Sequence, residues 1–447
     1  VIPRLAFLLL LFSALNAPAA APSLDPIIDR EIASIVEIYK TIHTSPELSH
    51  FEEKTAALLA GELRKVGFTV TEHLGKFTRP QWQGHGVAAV LKNGDGPTVL
   101  VRADMDALPV DERTALPYAS RVRAKTDSGQ ETGVMHACGH DIHVSNLIGT
   151  ARVLAALKDQ WHGTLVLIGQ PSEETIDGAA AMLRDGLYDK VPRPDFCLAL
   201  HDHSELAAGQ VAFTPDYALA SVSSVDITVR GVGGHGSRPE QARDPVVLAS
   251  QIVLALQTIV SRETSPFDAA VVTVGTIHGG TRRNIIPPEV KLQLTIRTYK
   301  EEVRKKILES IERIAKNTAL AAGVPPELAP IIESYSDEST PATYNDPTLT
   351  ERIANVCRGL LGKENVLPMS PIMGGEDFGL FAGTDAKPVP SLIYWVGAVD
   401  PAKVAQSKAT GAPLPAIHSG WFAPLPEPTL RTGMKTLSAA VLELMRK

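Results

Sequence analysis

Met135-His136-Ala137-Cys138-Gly139-His140-Asp141-Ile142-His143-Val144-Ser145-Asn146 is the stretch from which the rest of the chain can be read. Three imidazoles, a thiol and a carboxylate crowd around one glycine, a density of metal-capable side chains for which a folding core has no use. Neutral imidazole and thiolate hold borderline divalent cations, and alternating positions such as Cys138 and His140 can point the same way from an extended turn. Downstream, Leu147, Ala151, Leu154 and Lys158 recur at helical spacing, so the cluster is expected on a loop entering a helix over 145–157. The competing reading is a set of buried, hydrogen-bonded polar side chains. That suits one histidine better than three with a Cys and an Asp.

The length of 447 residues exceeds the ~250 to 300 at which a single core stops growing, so two domains are expected. Apolar residues make up 44% and charged residues 21%, the balance of a soluble globular protein. With 43 Lys and Arg against 50 Asp and Glu the chain is mildly acidic, which argues against nucleic acid as a partner. At the start, Arg4 precedes an apolar run over 5–15 too short to span a bilayer, followed by small residues over 17–21. Residues 1–21 therefore read as a signal peptide, and the mature protein is expected to be secreted or periplasmic and free of the membrane. Export draws attention to the three cysteines. A metal would protect Cys138 as a thiolate, while Cys197 and Cys357 either pair or stay buried as thiols.

Helical spacing of Ile28, Ile32, Ile35 and Ile38 opens the mature chain with an amphipathic helix over 26–41. Ser49 and Glu52 have capping-box spacing ahead of a second helix ending at Gly67. Apolar runs over 87–91, 98–102, 165–169 and 196–200 read as strands. Three of them end in ligand-type residues: Asp104 and Asp106 after the second, Glu173 and Glu174 after the third, His201 and His203 after the fourth. Open α/β sheets place their chemistry at such strand ends. A lone Glu-Glu pair is usually a solvated surface feature, and the recurrence is what argues otherwise.

From residue 221 the pattern becomes strand, helix, strand, strand, helix, strand, with Asp244 and Pro245 as N-cap and first residue of its first helix. That order predicts an inserted ferredoxin-like domain over 217–336, between catalytic segments 22–216 and 337–447. A helix over 349–361, a strand over 392–396 and a last helix over 429–445 resume α/β character, with Gly374, Gly375, Glu376, Asp377 and His418 between them. Gly231, Gly233 and Gly236 fit a dinucleotide-binding spacing, but Pro239 and Pro245 follow and no helix opens at the third glycine.

With Cys138-Gly139-His140-Asp141, then Gln170 to Glu174, His201, Gly375 to Phe378 and His418 in order, the chain resembles the dimetal amidohydrolase/peptidase family of aminoacylases and carboxypeptidase-G-like enzymes. Within it, the chain is similar to the branch of hippurate hydrolases, N-acyl-amino-acid amidohydrolases and plant auxin-conjugate hydrolases. The resemblance covers nearly all the mature chain, including 102–109 and 284–287. It implies an α/β fold, a metallopeptidase-like mixed sheet flanked by helices, with the inserted domain serving as lid or dimerisation unit of a homodimer. It implies two divalent metal ions, manganese, zinc or cobalt, held by Cys138, His140, Glu174, His201 and His418. Glu173 is then the general base, Asp106 supports a ligand, His235 stabilises the developing oxyanion across a dimer interface, and Asn284 and Arg297 contact substrate. His203 and the polar loop over 125–131 depart from the branch pattern, which bears on substrate preference.

The implied activity is hydrolysis of an N-acyl or N-aroyl amino acid, a small-molecule amide, to a carboxylate and a free amino acid. Three alternatives stand beside it: a dipeptide exopeptidase on the same site, a non-catalytic metal-binding homologue, and a hydrolase using Cys138 as nucleophile. The last leaves Glu173, Glu174 and His418 without a task.

Overall fold

The computed structural model describes residues 24–126, 129–383 and 388–446, so the expected signal peptide lies outside them. The chain begins with α1 (Asp25–Thr44), α2 (Glu53–Lys65), β1 (Thr69–Leu74), β2 (Gly86–Asn93) and β3 (Thr98–Asp104). It continues through α3 (His140–Ala156), β4 (Gly163–Gln170), β5 (Phe196–Ala207) and β6 (Val211–Phe213). A second group follows: β7 (Ser221–Arg230), α4 (Pro245–Thr258), β8 (Ala270–Gly279), β9 (Glu289–Thr298), α5 (Glu301–Ala321) and β10 (Ile331–Thr340). The chain then returns through α6 (Pro347–Leu361), β11 (Val366–Pro368), β12 (Ser391–Val399) and α7 (Pro426–Leu444).

Eight strands form one mixed sheet in the order β1-β2-β4-β3-β5-β12-β6-β11. Its centre, β4, β3, β5 and β12, is parallel, and antiparallel pairs flank it. Both faces are covered, which is why these strands read as continuous apolar runs rather than alternating ones. Val99, Val101 and Ala103 pack toward α1, α2, α3 and α7, while Leu100 and the neighbouring Val166 and Ile168 pack toward Met182, Phe378 and Phe381. On α1, Ile28 and Ile35 are fully buried, each contributing about 1.5–3 kcal/mol of apolar burial. The parallel strands end on one edge of this sheet, and the donors gather there.

The second group is a four-stranded antiparallel sheet, β8-β9-β7-β10, backed by α4 and α5. This is the ferredoxin-like arrangement that the element order predicted. Asp244 caps α4 by accepting from the Val246 N–H at 2.8 Å, with Pro245 at the first position. The segment Pro245–Glu263 is long and apolar enough to cross a membrane by length and composition. Its Leu248, Ile252 and Leu256 instead pack on the small sheet.

Three local readings differ from the structure. The helix after Gly139 starts at His140 rather than Ser145, so His140, Asp141 and His143 belong to its first turn. A run of polar donors carries no apolar period, which hid that turn. Second, β5 does not stop before His201 but runs on to Ala207. Its pairing with β3 nevertheless ends at Arg102 opposite Ala199, so His201 stands level with the end of β3. Third, Ser49 and Glu52 do not form a capping box: Ser49 donates to Asp106 Oδ2 at 2.7 Å, and Glu52 Oε1 accepts from the Ser172 N–H at 2.7 Å. The short strand β1, which polar residues disguise, was not anticipated.

Asp141 is tied to α1 rather than to the donor cluster. His43 Nδ1 donates to Asp141 Oδ2 at 2.6 Å and Nε2 lies 3.1 Å from Glu112 Oε1, all three side chains being buried. Burial lowers the basicity of His43, but hydrogen bonds to Asp141 and Glu112 outweigh it and hold the pKa at about 9. Because the folded value lies above the unfolded one, the stabilisation is complete below about pH 6.5 and disappears as pH rises through 9. A shift of this size corresponds to roughly 3 kcal/mol. Urea midpoints of chelator-treated wild type and His43→Gln should therefore differ most near pH 6 and converge above pH 9.5; a gap independent of pH contradicts a charged His43.

Candidate metal centre

The parallel strand ends and one distant loop deliver the donors. Cys138 sits in the turn before α3, His140 is the first residue of that helix, Glu173 and Glu174 follow β4, and His201 lies within β5. His418 arrives from the far end of the chain, its N–H donating to the Ala137 carbonyl at 2.7 Å. His418 Nε2 lies 3.3 Å from Cys138 Sγ and 3.5 Å from Glu174 Oε1. Cys138 Sγ is 3.6 Å from His201 Nε2, and His140 Nε2 is 3.9 Å from both Glu174 Oε1 and Glu173 Oε2. The donor atoms of Cys138, His140 and His201 lie within 4.8 Å of one another, as do those of Cys138, Glu174 and His418. Cys138 is common to both triads.

The chain fixes which ring nitrogens are free. His140 Nδ1 lies 3.2 Å from Asp106 Oδ1, and His201 Nδ1 donates to the Asp202 carbonyl at 2.7 Å. In both rings Nε2 faces the cluster. Imidazoles that bind metals are held in this way, one nitrogen hydrogen-bonded and the other left as a lone pair. His140 Nε2 and Glu174 Oε1 are buried with no hydrogen-bond partner among the described residues, a costly state unless a cation sits between them. Asp106 also accepts from the Glu174 N–H at 3.0 Å, so one carboxylate orients donors on α3 and after β4.

Electrostatics point the same way. Burial, then the neighbouring Glu376 and Glu174, push the Glu173 carboxyl well above the usual range. Burial likewise raises Glu174 to about 7 and, with the two glutamates, lifts the Cys138 thiol far up. His140 is drawn to about 10 by Asp104 and Asp106 against its own burial. The cluster is short of positive charge, and divalent cations would supply it.

Behind the donors lies a layer built on Arg102, to which the sequence reading gave no role, and it takes up Asp104 and His143, two of the residues expected as metal-capable. Arg102, fully buried, donates to Asp104 Oδ2 and Glu376 Oε1, each at 2.7 Å, and to Gln170 Oε1 at 2.7 Å. Asp104 in turn lies 2.5 Å from His143 Nδ1, and the Asp202 N–H donates to His143 Nε2 at 2.9 Å. A charged residue closing an apolar strand run was the available signal, since a buried guanidinium requires carboxylates. Strained backbone also collects here: His50, Ser172, Ile176 and His418 all have positive φ.

The structure does not bring every expected residue to the cluster. Arg297, half-buried on β9, lines a cleft of about 320 Å³ together with Glu174, Asp177 and Trp82. His235 lies on a short strand elsewhere and Asn284 in the turn just before the strand paired with it, His235 Nδ1 accepting from the Ser237 N–H at 3.1 Å and the Asn284 carbonyl from the Gly236 N–H at 2.9 Å. Both are exposed, and their hydrogen bonds do not reach the metal-capable side chains. His203 packs on Trp395 at 5.4 Å between centroids, outside both triads. Cys197 and Cys357 are buried free thiols.

The two-sheet architecture and the converging donors define the class, a metal-dependent hydrolase of α/β metallopeptidase type. Residues 100–419 match the model of the peptidase family M20/M25/M40, and the chain belongs to that family. Its activity is hydrolysis of amide bonds. The chain is 37% identical over 347 residues to the hippurate hydrolase of Campylobacter jejuni, covering 77% of this chain and 84% of that one. It is 34% identical over 365 residues to the thermostable carboxypeptidase 2 of Saccharolobus solfataricus, covering 81% and 85%. A Bacillus subtilis structure described as a dinuclear metal binding peptidase of family M20 superposes with a TM-score of 0.72 at 26% identity, covering 93% of this chain and 99% of that one.

Gly139 offers a local test. Its φ of 77° is left-handed, and a Cβ there would stand 2.3 Å from Asp202 Oδ2. Gly139→Ala should cost about 2–4 kcal/mol from strain and the buried clash, and metal uptake should fall with it. Thermal melts paired with metal titration check this, and wild-type values in both would contradict the geometry.

Proposed function

We propose that Cys138, His140, Glu174, His201 and His418 would hold two divalent ions, with the Cys138 thiol within reach of the donors of both triads. The observation that carries this reading is the membership of one thiol in two donor triads. The M20-family neighbour described as dinuclear supports the count of two. Thiolate and imidazole favour zinc, while the carboxylate accepts manganese or cobalt as well. When bound, the ions polarise the amide carbonyl and make water acidic enough to ionise near neutral pH.

The remaining work belongs to side chains. Glu173, beside the triads, takes a proton from the attacking water on its carboxylate and returns it to the leaving nitrogen. Its raised affinity for a proton suits that exchange. Arg297, in no ion pair among the described residues, offers its guanidinium to the substrate carboxylate across the cleft. Asp106 holds His140 and the Glu174 backbone in place. His235 and Asn284 serve a second copy of the chain. This homodimer reading draws support from exposed Val246, Val247 and Leu254 on α4 and from the outer edge of β8, which pairs with no strand among the described residues. The segments 22–216 with 337–447, and 217–336, then act as catalytic unit and lid, and residues 1–21 export the protein to the periplasm or medium.

The substrate is an N-acyl or N-aroyl amino acid, in keeping with a hippurate hydrolase among the relatives. Dipeptide hydrolysis is the second reading, favoured by the carboxypeptidase relative. Purified protein loaded with Mn²⁺ or Zn²⁺ should release free amino acid from N-benzoyl and N-acetyl amino acids faster than from dipeptides. Glu173→Gln should keep two ions by elemental analysis and lose activity about 10²–10⁴-fold. Turnover of dipeptides alone would hand the assignment to the second reading, and unchanged activity in Glu173→Gln would remove the base.

A further inference from the structure

Residues 75–85 join β1 to β2, an antiparallel pair whose connection ordinarily needs roughly 2–5 residues. This one crosses to the small sheet. Thr78 Oγ1 donates to Asp337 Oδ2 at 2.6 Å, and Arg79 Nη2 lies 3.4 Å from Glu338 Oε1, both acceptors on β10 shortly before the chain returns to the main sheet. The Arg79 guanidinium carbon stands 4.6 Å over the Trp82 ring, and Trp82 stacks on His50 at 3.6 Å with 8° between planes.

His50 lies in the segment that supports the metal-capable donors. Its N–H donates to Ser172 Oγ at 2.9 Å and its Nε2 lies 3.0 Å from Asp177 Oδ2. Neighbouring Ser49 bonds Asp106, which in turn contacts His140 and the Glu174 backbone. Contacts therefore run from Glu338 on the small sheet through Arg79 and Trp82 to His50, and from there along the backbone to Ser49, whose hydroxyl bonds Asp106 beside the cluster. Arg79, Trp82, Asp337 and Glu338 also line the cleft that Arg297 and Glu174 line.

We propose that residues 75–85 form a clasp that sets the small domain over the donor cluster, with Arg79 and Trp82 acting as positioning residues for substrate binding. The proposal rests on the functional reading above for its kinetic consequence, but not for its structural one. Both partners of the Arg79 pair are about half exposed, at 48% and 45%, and such a pair alone holds little. Its effect comes from combination: an ion pair, a hydroxyl-to-carboxylate bond and a three-layer stack converge on one loop, and contiguous contacts of this kind carry coupling. The clasp acts on the wall that bears Arg297, so loosening it should weaken substrate binding more than it slows the chemical step.

The test uses the full chain and two readouts, with Arg79→Glu, Glu338→Arg, the double exchange, Trp82→Ala and Trp82→Phe. Without substrate, Arg79→Glu and Trp82→Ala should each speed backbone hydrogen exchange about tenfold at residues 75–85 and 337–343, leaving β3 and β4 unchanged. In turnover of the best N-acyl amino acid, both should raise KM about fivefold or more with kcat within about twofold. The double exchange and Trp82→Phe should restore both readouts. Unchanged exchange in Arg79→Glu and Trp82→Ala, or a double exchange no better than the single variants, overturns the clasp. Faster exchange with an unchanged KM overturns the positioning role. If wild type turns over no N-acyl amino acid, the functional reading falls while the exchange readout still decides the clasp.

Discussion

Too much negative charge is buried in one place, and the fold is arranged around that fact. Asp104, Asp106, Glu173, Asp202, Glu376 and Asp377 are all nearly inaccessible to water, with Glu174 beside them. Carboxylates so placed raise one another's pKa unless cations stand among them. Arg102 meets the need on one side, where its guanidinium reaches Asp104, Glu376 and the nearby Asp377. Even there the compensation is incomplete, since burial and Glu376 hold Asp377 at about 8. On the other side no lysine or arginine is paired with Glu173 or Glu174 among the described residues, and imidazoles and a thiol take that place. Side chains that bind metals stand where fixed cations are missing.

The topology makes this crowding possible. Parallel strands β3, β4 and β5 bring their ends to one edge, so residues far apart in sequence meet without a long loop. Gly139 turns the chain into α3 against Asp202, and the backbone bond from His418 to Ala137 closes the circle. His43 anchors Asp141 from behind, so the first turn of α3 is held on two sides. The donors are thereby fixed by groups that do not themselves face the cluster, the arrangement a metal site requires if its geometry is to persist.

Much of this was legible in the sequence because the donors are chemically conspicuous. Cys138 and His140 around a single glycine, and Glu173-Glu174 directly after an apolar run, leave few alternatives. The ferredoxin-like unit was legible for a different reason: β7 and β9 alternate cleanly, and Asp244-Pro245 announces α4. Reading failed where side chains serve the site rather than their own element. The polar first turn of α3 hid a helix, and Ser49 with Glu52 looked like a cap but were recruited by Asp106 and Ser172. Arg102 closed a strand whose partners, Glu376 and Asp377, lie far down the chain, a pairing that no local pattern reveals. The roles of His235 and Asn284 came from family resemblance alone, and within one chain the segments that carry them pair with each other.

Sulfur coordination tests the account most directly. X-ray absorption at the metal edge of the loaded protein reads the number of sulfur neighbours per ion. A thiolate common to both triads predicts two ions per chain with about one sulfur neighbour each, lost in Cys138→Ser. A single ion per chain, or sulfur scattering that persists in Cys138→Ser, would contradict it.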